Sequence, residues 1–472
     1  MLAAGVLLLA AAAVVVLLAP DRLGLADRTP VAQLVALRGL VACLLVGGAV
    51  LLVGAVAGWR QVAGRAGVRR PGWRLPLALA GVLVLGAAAQ AAVVVGRGVD
   101  GSGAGPAADG DLVVLSFNTF GVVEADDLTA LVEQQDADLV VLAETSASTA
   151  RAVARALTDA GRPTTALAAD SESTRVEGVA LLVRDSLGGY TQTSAGLPAT
   201  ELGTFAAVRA GGASTAYPAR SDVPSDNAYT AYPGRGDVHS DNAYTAHPRR
   251  GDVPSDGAHT APTAYPVDAH AEQTPASPGD TAYPVDTRAE RTPASPDDTA
   301  YPVDTPAEHT PASPGDTAYP VDTPAEHTPA SPGDTAYPVD TGSARTTPPA
   351  PDVVVAAHTR APSAESSMPD WRAHAVGIAE VCRSTPGAIV AGDLNATLDH
   401  PGLDDLGPCV DAAAEVGAAG LGTWPADVPR VLAAPIDHVL VDGRAWRVTA
   451  FGVLDRVGAS DHRPVVAHLA RR

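Results

Sequence analysis

Lysine is missing from all 472 residues, so the 32 basic side chains are all Arg, while Ala, Gly and Pro are abundant, as GC-rich coding produces. The formal charge of −21 argues against nonspecific nucleic-acid affinity, which rests on neutralising backbone phosphates. No Lys-rich or Arg-rich groove for DNA is evident. Leu and Ile are missing from 213–349, which excludes a packed core there. That segment holds 20 Asp and Glu against 7 Arg, an excess of −13 and more than half of the total. The globular candidate is therefore 111–212 together with 350–472, and it is only mildly acidic.

Two repeat families fill 213–349. A unit of 15 residues built on Thr-Ala-Tyr-Pro starts at Thr215 and restarts at Thr230 and, with His247 in place of Tyr, at Thr245. A unit of 18 ends in Thr-Ala-Tyr-Pro-Val-Asp at Asp286, Asp304, Asp322 and Asp340. Each has too little apolar surface and too many prolines for a stacked solenoid, so a disordered insertion with polyproline-II character is expected. A spacer that contacts cell-wall polymer is one reading of it, and neutral repeat expansion is the other.

Residues 1–98 read as a membrane anchor of three transmembrane helices: Leu2 to Ala19, Gly39 to Ala57 and Leu75 to Val95 each approach the roughly 20 residues that span a bilayer. No basic region precedes Leu2 and no clear cleavage site follows, which disfavours a signal peptide. The second connection carries Arg60, Arg65, Arg69, Arg70 and Arg74 without an acidic residue, whereas the first balances Asp21 and Asp27 against Arg22 and Arg28. Positive-inside bias puts the Arg-rich loop in the cytoplasm and everything after the third helix outside, joined through a linker at 99–110. Cysteine is sparse: Cys43 lies in the second stretch, and Cys382 and Cys409 in the outer region form either a bridge or two buried thiols.

In the outer region Leu112 to Phe117, Asp138 to Ala143, Val179 to Val183, Thr204 to Val208 and Val353 to Ala357 read as strands. So do Ala388 to Ala391, Ile436 to Val441, Arg447 to Val453 and Pro464 to Leu469. Helices are expected at Glu124 to Gln135, Thr145 to Ala160 and Trp371 to Arg383. The fold class is α/β, a layered sandwich.

Chemistry-bearing residues collect at the ends of these strands. Asn118 and Glu144 follow the first two and reach one sheet edge if the strands are neighbours. Glu144 then offers a metal-ligating carboxylate and Asn118 a neutral oxygen ligand or a phosphate-orienting amide. His358 ends the strand before Thr359-Arg360, placed to donate to a phosphate oxygen, with Arg360 as a substrate-binding candidate. Asp393 and Asn395 straddle Leu394 and share a face if extended. Asp437 is a metal ligand or an anchor for another ligand, and Asp461 beside His462 supplies a carboxylate–imidazole couple. Each string alone also has the bland reading of a helix cap or a chance pair.

In this order the strings resemble the endonuclease/exonuclease/phosphatase superfamily over 111–209 and 352–469. The resemblance implies a four-layer sandwich of two β-sheets flanked by helices. It implies Mg2+, with Mn2+ possible, held by Glu144, Asn118 and Asp437, and catalysis by His358, Asp393, Asn395, Asp461 and His462. Phe120 stands where apurinic-site nucleases carry an acidic group, and His358 where lipid-directed members use His rather than Tyr. The anchor and the strings Gly422-Thr423-Trp424-Pro425 and Ser460-Asp461-His462-Arg463-Pro464 are similar to a membrane-anchored actinobacterial branch that includes a teicoplanin-resistance undecaprenyl-pyrophosphate phosphatase. The resemblance points to an extracytoplasmic hydrolase of a phosphorylated lipid or small-molecule phosphate. An extracellular nuclease and a catalytically dead wall-interacting protein are the competing readings.

Overall fold

The computed structural model describes residues 2–65, 73–101, 103–211 and 345–472. Residues 212–344, which carry both repeat families, lie outside the described residues, as do Arg69 and Arg70 of the Arg-rich loop. The described chain resumes at Arg345, whose guanidinium is held by Asp136 and Asp138, while Thr346 bonds Asp109. Residues 345–349, assigned by composition to the insertion, are thus attached to the domain.

Four helices open the chain: α1 (Leu2–Leu18), α2 (Val31–Ala36), α3 (Arg38–Arg65) and α4 (Arg74–Gly96). The sequence suggests three spans, but only two described helices, Arg38–Ala63 and Arg74–Gly96, are long and apolar enough to cross a membrane. With 17 residues, α1 is about 26 Å long, short of the roughly 30 Å hydrocarbon core. Pro20 follows two residues after its end.

The second part is built on two sheets. Its elements are β1 (Leu112–Asn118), α5 (Ala125–Gln134), β2 (Leu139–Ala143), α6 (Ala147–Asp159), β3 (Thr164–Ala169), β4 (Val179–Arg184), β5 (Tyr190–Thr193) and β6 (Phe205–Arg209). After the undescribed stretch come β7 (Val353–His358), α7 (Met368–Ser384), β8 (Ile389–Asp393), β9 (Cys409–Asp411), α8 (Ala412–Glu415), β10 (Asp437–Asp442), β11 (Trp446–Val453) and β12 (Val465–Arg471). One six-stranded sheet runs β11-β12-β1-β2-β4-β3 and the other β5-β6-β7-β8-β10-β9. Each contains one parallel pair, β1 with β2 and β7 with β8, among antiparallel neighbours.

Side-chain alternation sorts each strand into an inner and an outer face. Leu112 and Val114, Leu139 and Val141, Val354 and Ala356, Ile389 and Ala391, and Val439 and Val441 form one cluster between the sheets. Their neighbours face the helices: Val113, Leu115 and Phe117 pack on Leu128, Leu131, Val153 and Leu157 of α5 and α6. Val353, Val355 and Ala357 pack on Trp371, Ile378 and Cys382 of α7. The two sheets flanked by helices match the expected sandwich. Cys382 and Cys409 are bridged, tying α7 to β9.

The undescribed stretch joins antiparallel neighbours, since Val208 pairs with Val353 and Ala206 with Val355. Lengthening such a connection from about five residues to about 135 costs on the order of 3 kcal/mol. Burial of a Val or Leu side chain is worth roughly 1.5–3 kcal/mol, so a few core residues offset it.

Candidate active site

The inner-face alternation places the polar residues. Two steps beyond Ala356, Ala391 and Val439 come His358, Asp393 and Asp437, and these three stand opposite one another in register across β7, β8 and β10. Four residues beyond Val114 comes Asn118, opposite Ala143, with Glu144 next along the chain. The site is the edge at which the inter-sheet core stops being apolar. Gly392 makes the crossing feasible, because a Cβ there would fall 1.8 Å from the Ala357 carbonyl oxygen.

Two residues at this edge adopt left-handed backbone that non-glycine residues seldom take, Glu144 (φ 49°) and Asn395 (φ 46°). The Glu144 carbonyl accepts from Thr119 Oγ1 at 2.6 Å and Gly121 N at 3.0 Å, which holds the carboxylate toward the site. Asn395 N donates to Asp393 Oδ1 at 2.8 Å, its Nδ2 to Thr359 O at 2.9 Å, and its carbonyl accepts from Trp371 Nε1 at 2.8 Å. The His462 loop is fixed by Ser460, whose Oγ donates to Asn118 O at 2.8 Å and accepts from His462 N at 3.0 Å.

At the centre, Asn118 Nδ2 donates to Glu144 Oε1 at 2.9 Å and to Asp393 Oδ2 at 3.0 Å. Asn118 Oδ1 accepts from Phe120 N, and the amide nitrogen, in place of its oxygen, is turned to the carboxylates. His358 Nε2 lies 3.7 Å from Glu144 and 3.8 Å from Asp393, and its Nδ1 has no partner among the described residues. His462 Nδ1 donates to Asp437 Oδ2 at 2.8 Å while Nε2 faces Asp393 Oδ2 at 3.8 Å.

Two further sequence assignments change. The expected Asp461–His462 couple is replaced by Asp437–His462, and Asp461 accepts instead from Trp424 Nε1 at 2.9 Å. The substrate-binding candidate Arg360 is engaged by Glu201 and by Asp370, 3.5 Å away. The structure brings Asn118, Glu144, His358, Asp393, Asp437 and His462 together, and places Asn395 and Asp461 beside them as bonded supports. Sequence reasoning missed Trp371, Trp424 and His438. The last faces outward from β10, with Nδ1 2.8 Å from Asp411 and Nε2 2.9 Å from Ala396 O. Alternation along β10 carries that signal, because Asp437 and His438 must point to opposite faces.

Burial raises the Asp393 carboxyl and the charge of Asp437 raises it further; burial likewise raises Glu144, with Asp393 adding to it against the Asn118 bond. Burial holds His358 below its ordinary value. Burial pulls His462 down too, but Asp437 and Asp393 outweigh it and push it up to about 10. Asp393, Asp437 and His462 offer ligand atoms within 4.8 Å of one another, and Asp437 Oδ1 is buried without a partner among the described residues. Crowded oxygen donors whose charges oppose one another fit a hard divalent cation, which relieves the repulsion that raises Asp393 and Glu144.

This fold and site define a hydrolase for phosphoester bonds. The chain belongs to the endonuclease/exonuclease/phosphatase family, whose model matches residues 115–462. No curated protein matches it closely. Among solved structures it is similar to an endonuclease/exonuclease/phosphatase from Beutenbergia cavernae, with 14% identity over 76% of this chain and 72% of that one, TM-score 0.39. It is also similar to a Bacteroides thetaiotaomicron mannosyl-6-phosphatase (11% identity, 76% and 99% covered, TM-score 0.35). A third is the human Nocturnin catalytic domain (9% identity, 78% and 96% covered, TM-score 0.36).

Proposed function

We propose that the chain is a membrane-anchored hydrolase with an extracytoplasmic catalytic domain, which uses Mg2+, or Mn2+, to cleave a phosphoric ester or pyrophosphate on a lipid-linked or envelope phosphate such as a polyprenyl pyrophosphate. One observation carries the lipid reading: the anchor meets the sandwich at the edge that holds the site. Gln33 donates to Pro362 O, Arg38 binds Asp399, and Gly39 lies against the Val431 carbonyl. Those partners lie on the segments after His358, after Asn395 and before Asp437. A headgroup held at the bilayer then meets the carboxylates at high effective concentration. The Cys382–Cys409 bridge suits an oxidising compartment. Arg60 and Arg65 near the end of α3 and Arg74 at the start of α4 lie at the opposite end of that pair, where positive-inside bias puts the cytoplasm.

Glu144, Asp393 and Asp437 would hold the cation, which supplies charge neutralisation at the phosphoryl oxygens. Asp393, as a carboxylate, would orient the attacking water and take its proton. His462, held at Nδ1 by Asp437, would present Nε2–H to the charge that develops on phosphorus-bound oxygen. His358, neutral, is a second donor from the opposite side. His358 at this position, rather than Tyr, favours lipid-directed chemistry by the family resemblance.

Full-length protein in detergent with Mg2+ is assayed for phosphate release from polyprenyl pyrophosphate and for cutting of plasmid DNA. Release is expected. Robust DNA cutting without release would overturn the proposal in favour of a nuclease. No turnover of either by a folded chain would favour a wall-interacting protein whose repeats carry its function.

A further inference from the structure

Arg38, at the first turn of α3, is only 4% exposed. Four of its five guanidinium N–H donors are bonded. Nε and Nη2 grip Asp399 at 2.8 and 2.6 Å, and Nη1 donates to Gln90 Oε1 of α4 at 2.6 Å and to the Leu17 carbonyl of α1 at 2.8 Å. Arg97, just past α4, adds a bond to the same carboxylate at 2.7 Å. Three anchor helices are thereby locked to one acidic side chain of the catalytic domain.

Asp399 lies four residues after Asn395, and the intervening loop is tied down at each step. His400 Nε2 donates to Ala32 O of α2 at 3.0 Å, and its Nδ1 accepts from Thr397 N at 2.8 Å. The His400 ring meets Trp371 edge-on, with centroids 4.9 Å apart. Trp371 Nε1 in turn holds the carbonyl of Asn395, whose left-handed backbone turns its amide onto Asp393. A continuous set of contacts therefore runs from the helical anchor to the carboxylate at the centre of the site. The domain is seated on the anchor, and the 99–110 segment is not its sole attachment. Asp100 N donates to Gly417 O, and Gly420 N to Gly98 O at 2.8 Å.

We propose that the helical anchor is a positioning element of the active site: Arg38 and Arg97, acting through Asp399, His400 and Trp371, hold the Asp393–Asn395 turn in its hydrolytic geometry. This inference rests on reading Asp393 as a hydrolytic residue, and none of the positioning residues touches substrate. Displacement of a catalytic group by about 1 Å can cost on the order of 100-fold in rate, so loosening the turn acts on kcat.

The test uses the full-length chain in detergent, with bis(p-nitrophenyl) phosphate and Mg2+ as a soluble probe and Mn2+ binding followed by its electron paramagnetic resonance signal. Asp399→Asn, which keeps the shape and removes the charge, is expected to lower kcat about tenfold with KM within twofold, and to weaken Mn2+ binding several-fold. Trp371→Phe keeps an aromatic ring at this position while removing the donor to Asn395 and part of the packed volume, and is expected to act in the same direction by about threefold. Arg38→Lys should restore part of what Arg38→Met loses. Unchanged kcat and Mn2+ affinity in both Asp399→Asn and Trp371→Phe would overturn the inference, whatever happens to KM. If Asp399→Asn gives no cooperative melt, Trp371→Phe decides alone. A wild-type chain that hydrolyses neither this probe nor polyprenyl pyrophosphate sinks the proposed function, and the Mn2+ arm then decides the positioning role by itself.

Discussion

His462 Nδ1 bonds Asp437 Oδ2 at 2.8 Å, while Asp461, its neighbour in sequence, is taken by Trp424. The partner that fixes the imidazole is therefore 25 residues away in the chain, on β10 of one sheet, whereas His462 lies in the loop that leads into β12 of the other. Asp437→Asn should lower kcat by about 100-fold or more, the scale of a lost general acid–base or charge-stabilising group. Asp461→Asn should cost less than about tenfold. Steady-state kinetics of the two variants side by side measure this, and equal losses would return Asp461 to the role of partner.

Glu144 is held at its left-handed turn by bonds to its own backbone carbonyl, so a change at the side chain alters the site without removing those bonds. Glu144→Gln should keep the fold and weaken Mg2+ binding at least tenfold, because a formal charge is lost at a hard-cation site. Calorimetric titration of wild type and variant with Mg2+ checks it; identical isotherms would remove Glu144 from the ligand set.

Much of this geometry was legible in the sequence, because alternation along a strand fixes which residues share a face. Asn118, His358, Asp393 and Asp437 follow from the same period that defines the inner core of β1, β7, β8 and β10. Strands with weak or short apolar patterns were not legible: Thr164–Ala169 is half-buried along most of its length, Tyr190–Thr193 has four residues and Cys409–Asp411 three. Nor was the partner of His462 readable, since it is set by how the loop after β11 meets the end of β10. Arg38 looks like an interfacial cation at a helix end, and only tertiary packing turns it into a buried clamp. The shortness of α1 was hidden because composition continued apolar to Ala19.

His400 offers a pH-dependent reading of the anchor contact. It is buried between Ala32 and Trp371, and burial lowers its pKa from 6.5 to about 4. The unfolded chain therefore binds a proton that the folded chain refuses. The contribution to stability is complete above pH 6.5, falls as the pH drops, and is reduced by about 3 kcal/mol near pH 4. Denaturant melts of wild type and His400→Gln at pH 7 and 4.5 should show a smaller loss on acidification in the variant. Equal losses would mean that His400 is not kept neutral by the fold.

The Cys382–Cys409 bridge closes a span of 27 residues that includes β8 and the Asp393–His400 turn. Chain-entropy arguments give such a closure about 3.5 kcal/mol. Cys382→Ser together with Cys409→Ser should lower the melting temperature by several degrees, and wild type treated with a reductant should approach the same value. A pair of melts insensitive to both changes would show that the bridge does not stabilise the fold.

Arg345 distinguishes two ways of removing the insertion. Asp138 is fully buried and is held by Arg184 at 2.9 Å and by Arg345, with Val113 N also donating to it at 3.0 Å. Deleting 213–344 keeps both guanidinium groups, whereas deleting 213–349 leaves Asp138 with one. Because Arg184 remains, the second deletion should cost less than the 3–5 kcal/mol of a fully broken buried pair, about 1–3 kcal/mol. Both proteins should retain metal-dependent phosphate release, since β6 and β7 pair directly and need only a short connection. Thermal melts with parallel turnover assays measure both quantities. Equal melting temperatures would deny Arg345 a structural role, and loss of turnover in the shorter deletion would place the repeats within the catalytic function.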